Sequence, residues 1–363
     1  MSMFHELMMR KKEEIMYATI KGTLTNTDGV ISGFSSSNYL EVQGLYDFSQ
    51  PFEIKLKMRT TDNPNASGFL RIYNDNYGSY AALVGGNNTI GVWSKNTNDS
   101  YIANGVYIPN NTIVKYTFYY VKFIWTGTEY LIYLSTDNVN FKKYVTATSS
   151  DNIGTNKIIK IGATGGTQYF PGEIDLNNSY IKIGATKYNL QAVVGYTIVG
   201  SPTITDGVVT DLSSSNYLKI DQSYTLTQND NIEFYTRFKV DVLTGNKELF
   251  GIGSIWGAPI LSVYNDYISG YGGSLSDAQE RITTDTYYRV KLKANNGIWQ
   301  VFLYDDNNNL IGTKSNNSTF TDRTGSFLVG ATYGTSNPAV NSIDMNSTYI
   351  KINNKLWFNG QQA

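Results

Sequence analysis

Short stretches of alternating apolar and polar residues recur along the chain. Phe52–Arg59 has an apolar side chain at every second position and charged side chains between them, and Ile232–Val240 follows nearly the same pattern. Tyr130–Leu134 and Trp299–Tyr304 form a second pair of similar stretches. A period of two is typical of a β-strand with one buried face. The pattern therefore predicts strands at all four places.

Turn-forming residues separate these stretches. Asp28-Gly29, Asp206-Gly207 and Asn296-Gly297 are dipeptides that favour tight turns between strands. No segment with the period of a helix lies between residue 17 and the end of the chain. Many short strands at close spacing predict an all-β fold, a sandwich or a barrel.

The chain contains an internal sequence repeat. Ser35–Leu40 recurs letter for letter as Ser213–Leu218, and Ile174–Asn177 recurs with one change as Ile343–Asn346. Further matches follow in the same order along both halves, which excludes chance similarity. The period is too long for a solenoid and indicates duplicated domains. We predict two tandem domains, residues 17–188 and 194–363, preceded by a separate segment, residues 1–16.

The amino-acid composition argues against several kinds of catalytic and metal-binding site. The 363 residues include no cysteine and a single histidine, and the formal net charge is −1. Disulfides, thiolate nucleophiles, cysteine-bound zinc and Ser-His-Asp catalysis are therefore not expected. Near-neutral charge argues against nucleic-acid binding. No apolar stretch is long enough for membrane insertion. Charged residues stand where a signal peptide would be apolar, so synthesis in a cytoplasm is expected.

The first 16 residues differ from the rest. Phe4, Leu7 and Met8 are interspersed with charged residues, as in a short amphipathic helix. We interpret this segment as an anchor that docks into a partner, with those three residues as its contacts. A frayed tail is the alternative, and translation starting at Met16 is another.

The ends of each repeat resemble a known family. Phe34–Leu40 follows the Asp-Gly turn, and Gly172–Ile183 closes the repeat. Together they resemble the concanavalin A-like (laminin-G-like) jelly-roll domains found in tandem in bacteriophage tail, fibre and other virion proteins. The resemblance implies two tandem antiparallel jelly-roll β-sandwiches, a concave face and rim loops that hold glycans, and no catalytic residues. It also implies a virion location, contact with other virion proteins and assembly into homotrimers.

One stretch is similar to a catalytic strand of related glycosidases. Glu173-Ile174-Asp175 begins such a motif, but Asn177 and Asn178 stand where the second glutamate is needed. An amide cannot act as a general acid, and retaining hydrolysis needs two carboxyl groups. We therefore expect no enzyme activity, and a strand with Ile174 and Leu176 facing the core.

Oxygen-rich turns offer candidate calcium ligands. Asp75 with Asn74 and Asn76, and Asp266 with Asn265, have the hard oxygen atoms that calcium prefers. Such clusters are also common turn formers. No other cofactor is expected.

Exposed aromatic side chains near turns are candidates for stacking on sugar rings. Tyr77 and Trp93 in the first domain and Trp256 and Tyr271 in the second lie near turns or glycine-rich segments. Ordinary sheet packing is the alternative for each of them. Trp125, Trp299 and Trp357 fit core or cross-strand positions instead.

Three functions are compatible with these features. The first is a virion protein, in a tail fibre or associated with the tail, that displays two lectin-like domains to bind host cell-surface glycan. The second is a purely structural virion component, such as a capsid decoration, head fibre or tail scaffold. The third is a glycan-degrading enzyme.

Overall fold

The computed structural model of the chain describes residues 14–44, 46–61, 67–73, 80–86, 89–95, 101–148, 158–165, 168–252, 260–270, 281–317, 322–331 and 340–360. The chain divides into two compact units, Met1–Ala192 and Val193–Ala363. The described residues form strands, turns and irregular connections without an α-helix, which confirms the predicted all-β class. Within these ranges there is no helix that is long and apolar enough to span a bilayer.

The described part of the first unit contains sixteen strands and most of a seventeenth, whose last two residues belong to the second unit. They are β1 (Glu14–Lys21), β2 (Thr25–Thr27), β3 (Val30–Ser32), β4 (Tyr39–Val42), β5 (Phe52–Thr60), β6 (Ser67–Tyr73), β7 (Tyr80–Gly86), β8 (Thr89–Lys95), β9 (Tyr101–Tyr107), β10 (Tyr119–Trp125), β11 (Glu129–Ser135), β12 (Lys142–Thr148), β13 (Ile158–Ile161), β14 (Ala163–Gly165), β15 (Gln168–Tyr169), β16 (Gly172–Ile183) and β17 (Thr186–Val194).

Two layers of antiparallel strands make up this unit. The front sheet has the order β1–β4–β13–β6–β7–β8–β9. The back sheet has the order β12–β11–β10–β5–β16–β3–β2. Inward-facing side chains of both sheets, among them Leu40 and Leu70 in front and Leu56 and Phe123 behind, belong to one core cluster. The unit is therefore a sandwich, as the resemblance predicts.

The second unit repeats this arrangement. Its strands are β18 (Tyr196–Val199), β19 (Thr203–Thr205), β20 (Val208–Thr210), β21 (Tyr217–Leu226), β22 (Ile232–Lys239), β23 (Asn246–Ile252), β24 (Leu261–Tyr264), β25 (Tyr267–Gly270), β26 (Tyr287–Asn295), β27 (Ile298–Tyr304), β28 (Leu310–Asn317), β29 (Arg323–Val329), β30 (Ser342–Ile352) and β31 (Lys355–Asn359).

Strand order in the second unit matches the first, except that β9 has no counterpart among its described strands. Its front sheet is β18–β21–β29–β23–β24–β25, and its back sheet is β28–β27–β26–β22–β30–β20–β19. Strands β5, β10 and β16 thus correspond to β22, β26 and β30. The repeated sequence folds into a repeated topology, with a separate core in the second unit.

The N-terminal boundary differs from the expected one. Strand β1 begins at Glu14, and Met16 is fully buried in the core of the first unit. Residues 14–16 therefore belong to the sandwich, because their alternation continues the strand that follows. Residues 1–13, with the proposed anchor residues Phe4, Leu7 and Met8, lie outside the described residues.

Candidate functional site

The outer face of the front sheet in the first unit is polar and aromatic. The strand register places Lys160 beside Arg71, Arg71 beside Ala82, and Ala82 beside Trp93 in one row across β13, β6, β7 and β8. Because successive residues of a strand point to opposite faces, the neighbouring row of Ile161 and Leu70 on the other face joins the core. The row from Lys160 to Trp93 therefore lies on the open face.

A cavity of about 270 Å³ lies on this face. Its lining includes Arg71, Tyr80, Trp93 and Tyr107, and Ala82 contributes a small side chain between them. These residues come from β6, β7, β8 and β9. The site is therefore held by a continuous sheet rather than by a single loop.

Two rings of the cavity are joined by a hydrogen bond. Trp93 donates from its indole Nε1 to the hydroxyl oxygen of Tyr107, 2.9 Å away. Gly91 lies beneath Tyr107, and a Cβ atom on that glycine would come within 2.4 Å of the tyrosine ring. The glycine therefore allows the ring to lie close against its own sheet. Tyr107 keeps 42% of its surface exposed, so the ring is accessible to a ligand.

Arg71 forms the charged part of the cavity. Its guanidinium lies 4.3 Å from the ring centre of Tyr80 and 5.5 Å from that of Tyr73. It also donates a hydrogen bond of 2.8 Å to the carbonyl oxygen of Thr164. These contacts fix the guanidinium plane against aromatic faces. The arrangement presents flat apolar surface and hydrogen-bond donors side by side.

The polar face continues beside the cavity. The Lys160 ammonium lies 4.5 Å from the ring centre of Tyr39 and 5.4 Å from that of Tyr73. Glu41 lies 3.5 Å from the Lys21 ammonium. Cation and ring thus alternate from β4 to β7, and the polar and aromatic face continues beyond the cavity.

One of the four predicted sugar-binding aromatics is in this cavity. Trp93 lines it, whereas Tyr77, Trp256 and Tyr271 lie outside the described residues. Sequence reasoning missed Arg71, Tyr80 and Tyr107, which strand pairing brings to Trp93. The signal that was available is Arg71, a charged residue between the buried Leu70 and Ile72. The three tryptophans assigned to packing behave as predicted: Trp125 and Trp299 are buried, and Trp357 packs against the second core.

The strand that is similar to a glycosidase motif lies on the back sheet. Ile174 and Leu176 are buried, as predicted. Glu173 lies 2.7 Å from Arg59, and Asp175 lies 2.8 Å from Lys57. Burial opposes ionisation of Asp175, but hydrogen bonds from Lys57 and Asn178 outweigh it and hold the pKa of its carboxyl below the usual value. Both carboxylates are therefore engaged in cross-strand ion pairs.

The described candidate calcium ligands serve a turn. Asn265 accepts a hydrogen bond of 3.1 Å from the backbone of Gly245, and Asp266 lies 3.3 Å from Arg281. In the part of the chain that the structure describes, no three His, Asp or Glu side chains gather as a metal site. Asp75, Asn74 and Asn76 lie outside that part.

Comparisons with known proteins give distant similarities only. No protein-family profile matches the chain, and no curated protein matches it in sequence. Among solved structures, mouse laminin α1 domains LG4-5 are 11% identical, with 96% of each chain covered and a TM-score of 0.35. The carbohydrate-binding module CBM66 of Bacillus subtilis is 12% identical over 48% of this chain and 99% of its own, with a TM-score of 0.32.

A third similar structure is the enzymatically active domain of bacteriophage CBA120 tailspike protein 2. It is 11% identical over 50% of this chain and 31% of its own length, with a TM-score of 0.38. Similar solved structures thus include laminin G and carbohydrate-binding domains. At these identities and TM-scores, a shared function does not follow.

Proposed function

We propose that the first unit binds carbohydrate through the cavity of Arg71, Tyr80, Trp93 and Tyr107. The observation that supports this proposal is the position of three aromatic side chains and a guanidinium around one open cavity on a continuous sheet. Ligand sites typically combine apolar walls with a few polar groups that fix orientation. A sugar ring offers both an apolar face for the aromatic rings and hydroxyl groups for hydrogen bonding.

The direct test is a glycan array with the full-length chain, followed by titration of the best ligand. Trp93→Ala should weaken binding at least about fivefold, because loss of a stacked ring removes about 1 kcal/mol or more. Tyr264→Ala is the matched control, since Tyr264 is 44% exposed but lies on the second unit. Retention of no glycan, or equal binding by the Trp93 variant, would overturn the proposal.

We further propose that the chain is a non-enzymatic bacteriophage virion protein, carried on or near the tail, which presents this cavity to host surface glycan. The support is the resemblance of the sequence at the ends of each repeat, Phe34–Leu40 and Gly172–Ile183 in the first, to tandem jelly-roll modules of virion proteins. The distinct sequence of the first 13 residues fits an attachment segment for other virion proteins.

Immunogold labelling of purified phage particles tests the virion location. Antibody against the chain should label the tail and reduce adsorption to host cells. Labelling without any effect on adsorption would indicate a structural component instead. Release of reducing ends from host polysaccharide by the purified chain would overturn the non-enzymatic part.

A further inference from the structure

A second cavity lies on the back sheet of the second unit. Its volume is about 490 Å³, and its lining includes Glu233, Lys293, Gln300 and Lys351, which belong to β22, β26, β27 and β30. Asn231 and Asn354 complete one end, where the Asn231 amide donates a hydrogen bond of 3.2 Å to the Asn354 side chain. The lining is thus rich in amides and ammonium groups.

One carboxylate organises the charges of this cavity. Glu233 Oε1 accepts a hydrogen bond of 2.6 Å from the Tyr349 hydroxyl and lies 3.4 Å from Lys351, while Oε2 lies 3.4 Å from Lys293. Burial opposes ionisation, but Tyr349 and the nearby lysines, which include Lys291, outweigh it and lower the pKa of Glu233. The carboxylate therefore stays charged and holds one ammonium on each side.

Lys293 and Lys351 carry two positive charges, and the Glu233 carboxylate between them carries only one negative charge. An ammonium has three N–H donors, and Glu233 occupies only part of this capacity on Lys293 and Lys351. Their side chains are 45% and 41% exposed. The three groups sum to one positive charge at the mouth of the cavity, so the field there favours an anion.

The first unit provides an internal reference for this position. There Glu53 accepts a hydrogen bond from Tyr180, as Glu233 does from Tyr349, so this pair belongs to the shared fold. The strand register places Ile124 opposite Glu53 and Leu131 beside Ile124. In the second unit the same places hold Lys293 and Gln300.

Residues at the ends of these strands also differ between the two units. Asn231 and Asn354 occupy the places that Pro51 and Ala185 hold in the first unit. At the rim, the acidic Glu129 of the first unit is replaced by Ile298, which removes a negative charge. The first unit forms the same sheet with apolar residues at most of these positions. The shared fold therefore does not require this polar set, which supplies the cavity with hydrogen-bond donors.

We propose that this cavity binds an acidic saccharide, a sugar that bears a carboxylate. The ligand carboxylate contacts the exposed ends of Lys293 and Lys351, on the solvent side of Glu233, where their remaining N–H donors make charge-assisted hydrogen bonds. The sugar hydroxyls contact the amides of Asn231, Gln300 and Asn354. This site is independent of the cavity around Trp93 and does not rest on it.

The probe is a trigalacturonate, titrated calorimetrically into the full-length chain, with its carboxyl-reduced neutral counterpart as reference. The unaltered chain should bind the acidic probe, and its affinity for the carboxyl-reduced probe should be at least tenfold lower. The double variant Lys293→Ile, Gln300→Leu installs the residues of the first unit and should lose at least tenfold in affinity for the acidic probe. Lys293→Gln, which keeps polarity, should also weaken binding and make it less sensitive to salt.

A matched control is available in the first unit. Lys122 lies 3.4 Å from Glu53 and corresponds to Lys291 of the second unit, so Lys122→Ile removes a lysine beside the equivalent glutamate and should leave binding unchanged. Trp93→Ala should also leave it unchanged, which separates this site from the first cavity. Absence of binding to the acidic probe, equal binding of the reduced probe, or unchanged binding by the Lys293 variants would overturn the proposal.

Discussion

A glycine and an asparagine form the same contact in both units. Gly29 and Gly207 have φ values of 86° and 77°, a region that favours glycine. A Cβ atom on either would lie within 2.5 Å of the amide of Asn177 or Asn346. Each asparagine donates to the carbonyl oxygen of the residue before its glycine, over 2.6 and 2.8 Å. Each Asp-Gly turn is thus stabilised by an asparagine side chain from a distant strand as well as by its own backbone.

Gly207→Ala should destabilise the second unit more than Gly245→Ala does. Both glycines have positive φ, but a Cβ on Gly245 meets nothing within 4 Å. Backbone strain of about 1 kcal/mol applies to both. Gly207→Ala additionally displaces Asn346 and removes its hydrogen bond, for about 1 kcal/mol more. Urea unfolding of the two variants measures the difference, and equal losses would contradict the role given to Asn346.

At the scale of strands, the sequence predicted what depends on local pattern. The alternation in β5 and β22 gave the correct buried faces, because each strand has one side on a core. The candidate cavity depended on pairing instead. Arg71 and Trp93 lie far apart in sequence and share a row only through β7. No local pattern contains that register, so the sequence yielded Trp93 without its neighbours.

The ion pair between β5 and β16 should stabilise the first unit over a defined range of pH. Hydrogen bonding to Asp175 raises the pKa of Lys57, and the pKa of Asp175 is lowered although its burial acts the other way. A lowered acid pKa gives stability above about pH 4 that is lost as pH falls through the folded value. A raised lysine pKa gives stability below about pH 10.4 that is lost as pH rises through the folded value. The ion pair therefore stabilises the folded first unit between about pH 4 and about pH 10.4.

Lys57→Met should lower the free energy of unfolding by about 1.5 kcal/mol at pH 7, because Asp175 is buried and loses a charged hydrogen-bond partner. Adding Asp175→Asn should recover part of that loss, since no buried charge remains. Urea unfolding at pH 7 and at pH 3 measures both effects. A loss at pH 3 as large as that at pH 7 would show that packing, and not charge, is responsible.

At the scale of the whole molecule, duplication gives each unit a complete core. Phe123 is fully buried and packs against Phe52 and Tyr130, with ring centres 5.7 and 5.6 Å apart. In the second unit, Phe250 is equally buried and stacks on Phe234 at 3.9 Å. Every member of each core cluster belongs to its own unit. Stability is therefore expected to be a property of each unit.

Phe123→Ala and Phe250→Ala should each affect one unit. Removing a fully buried phenylalanine costs about 3–5 kcal/mol through lost burial and the cavity left behind. Native-state hydrogen exchange of the full-length chain should show this loss in the strands of the altered unit, with the other unit's protection unchanged. Equal loss of protection in both units would mean that they unfold as one. In that case the two cavities could not be altered separately by changes in their own cores, and binding would have to be compared only between variants of equal stability.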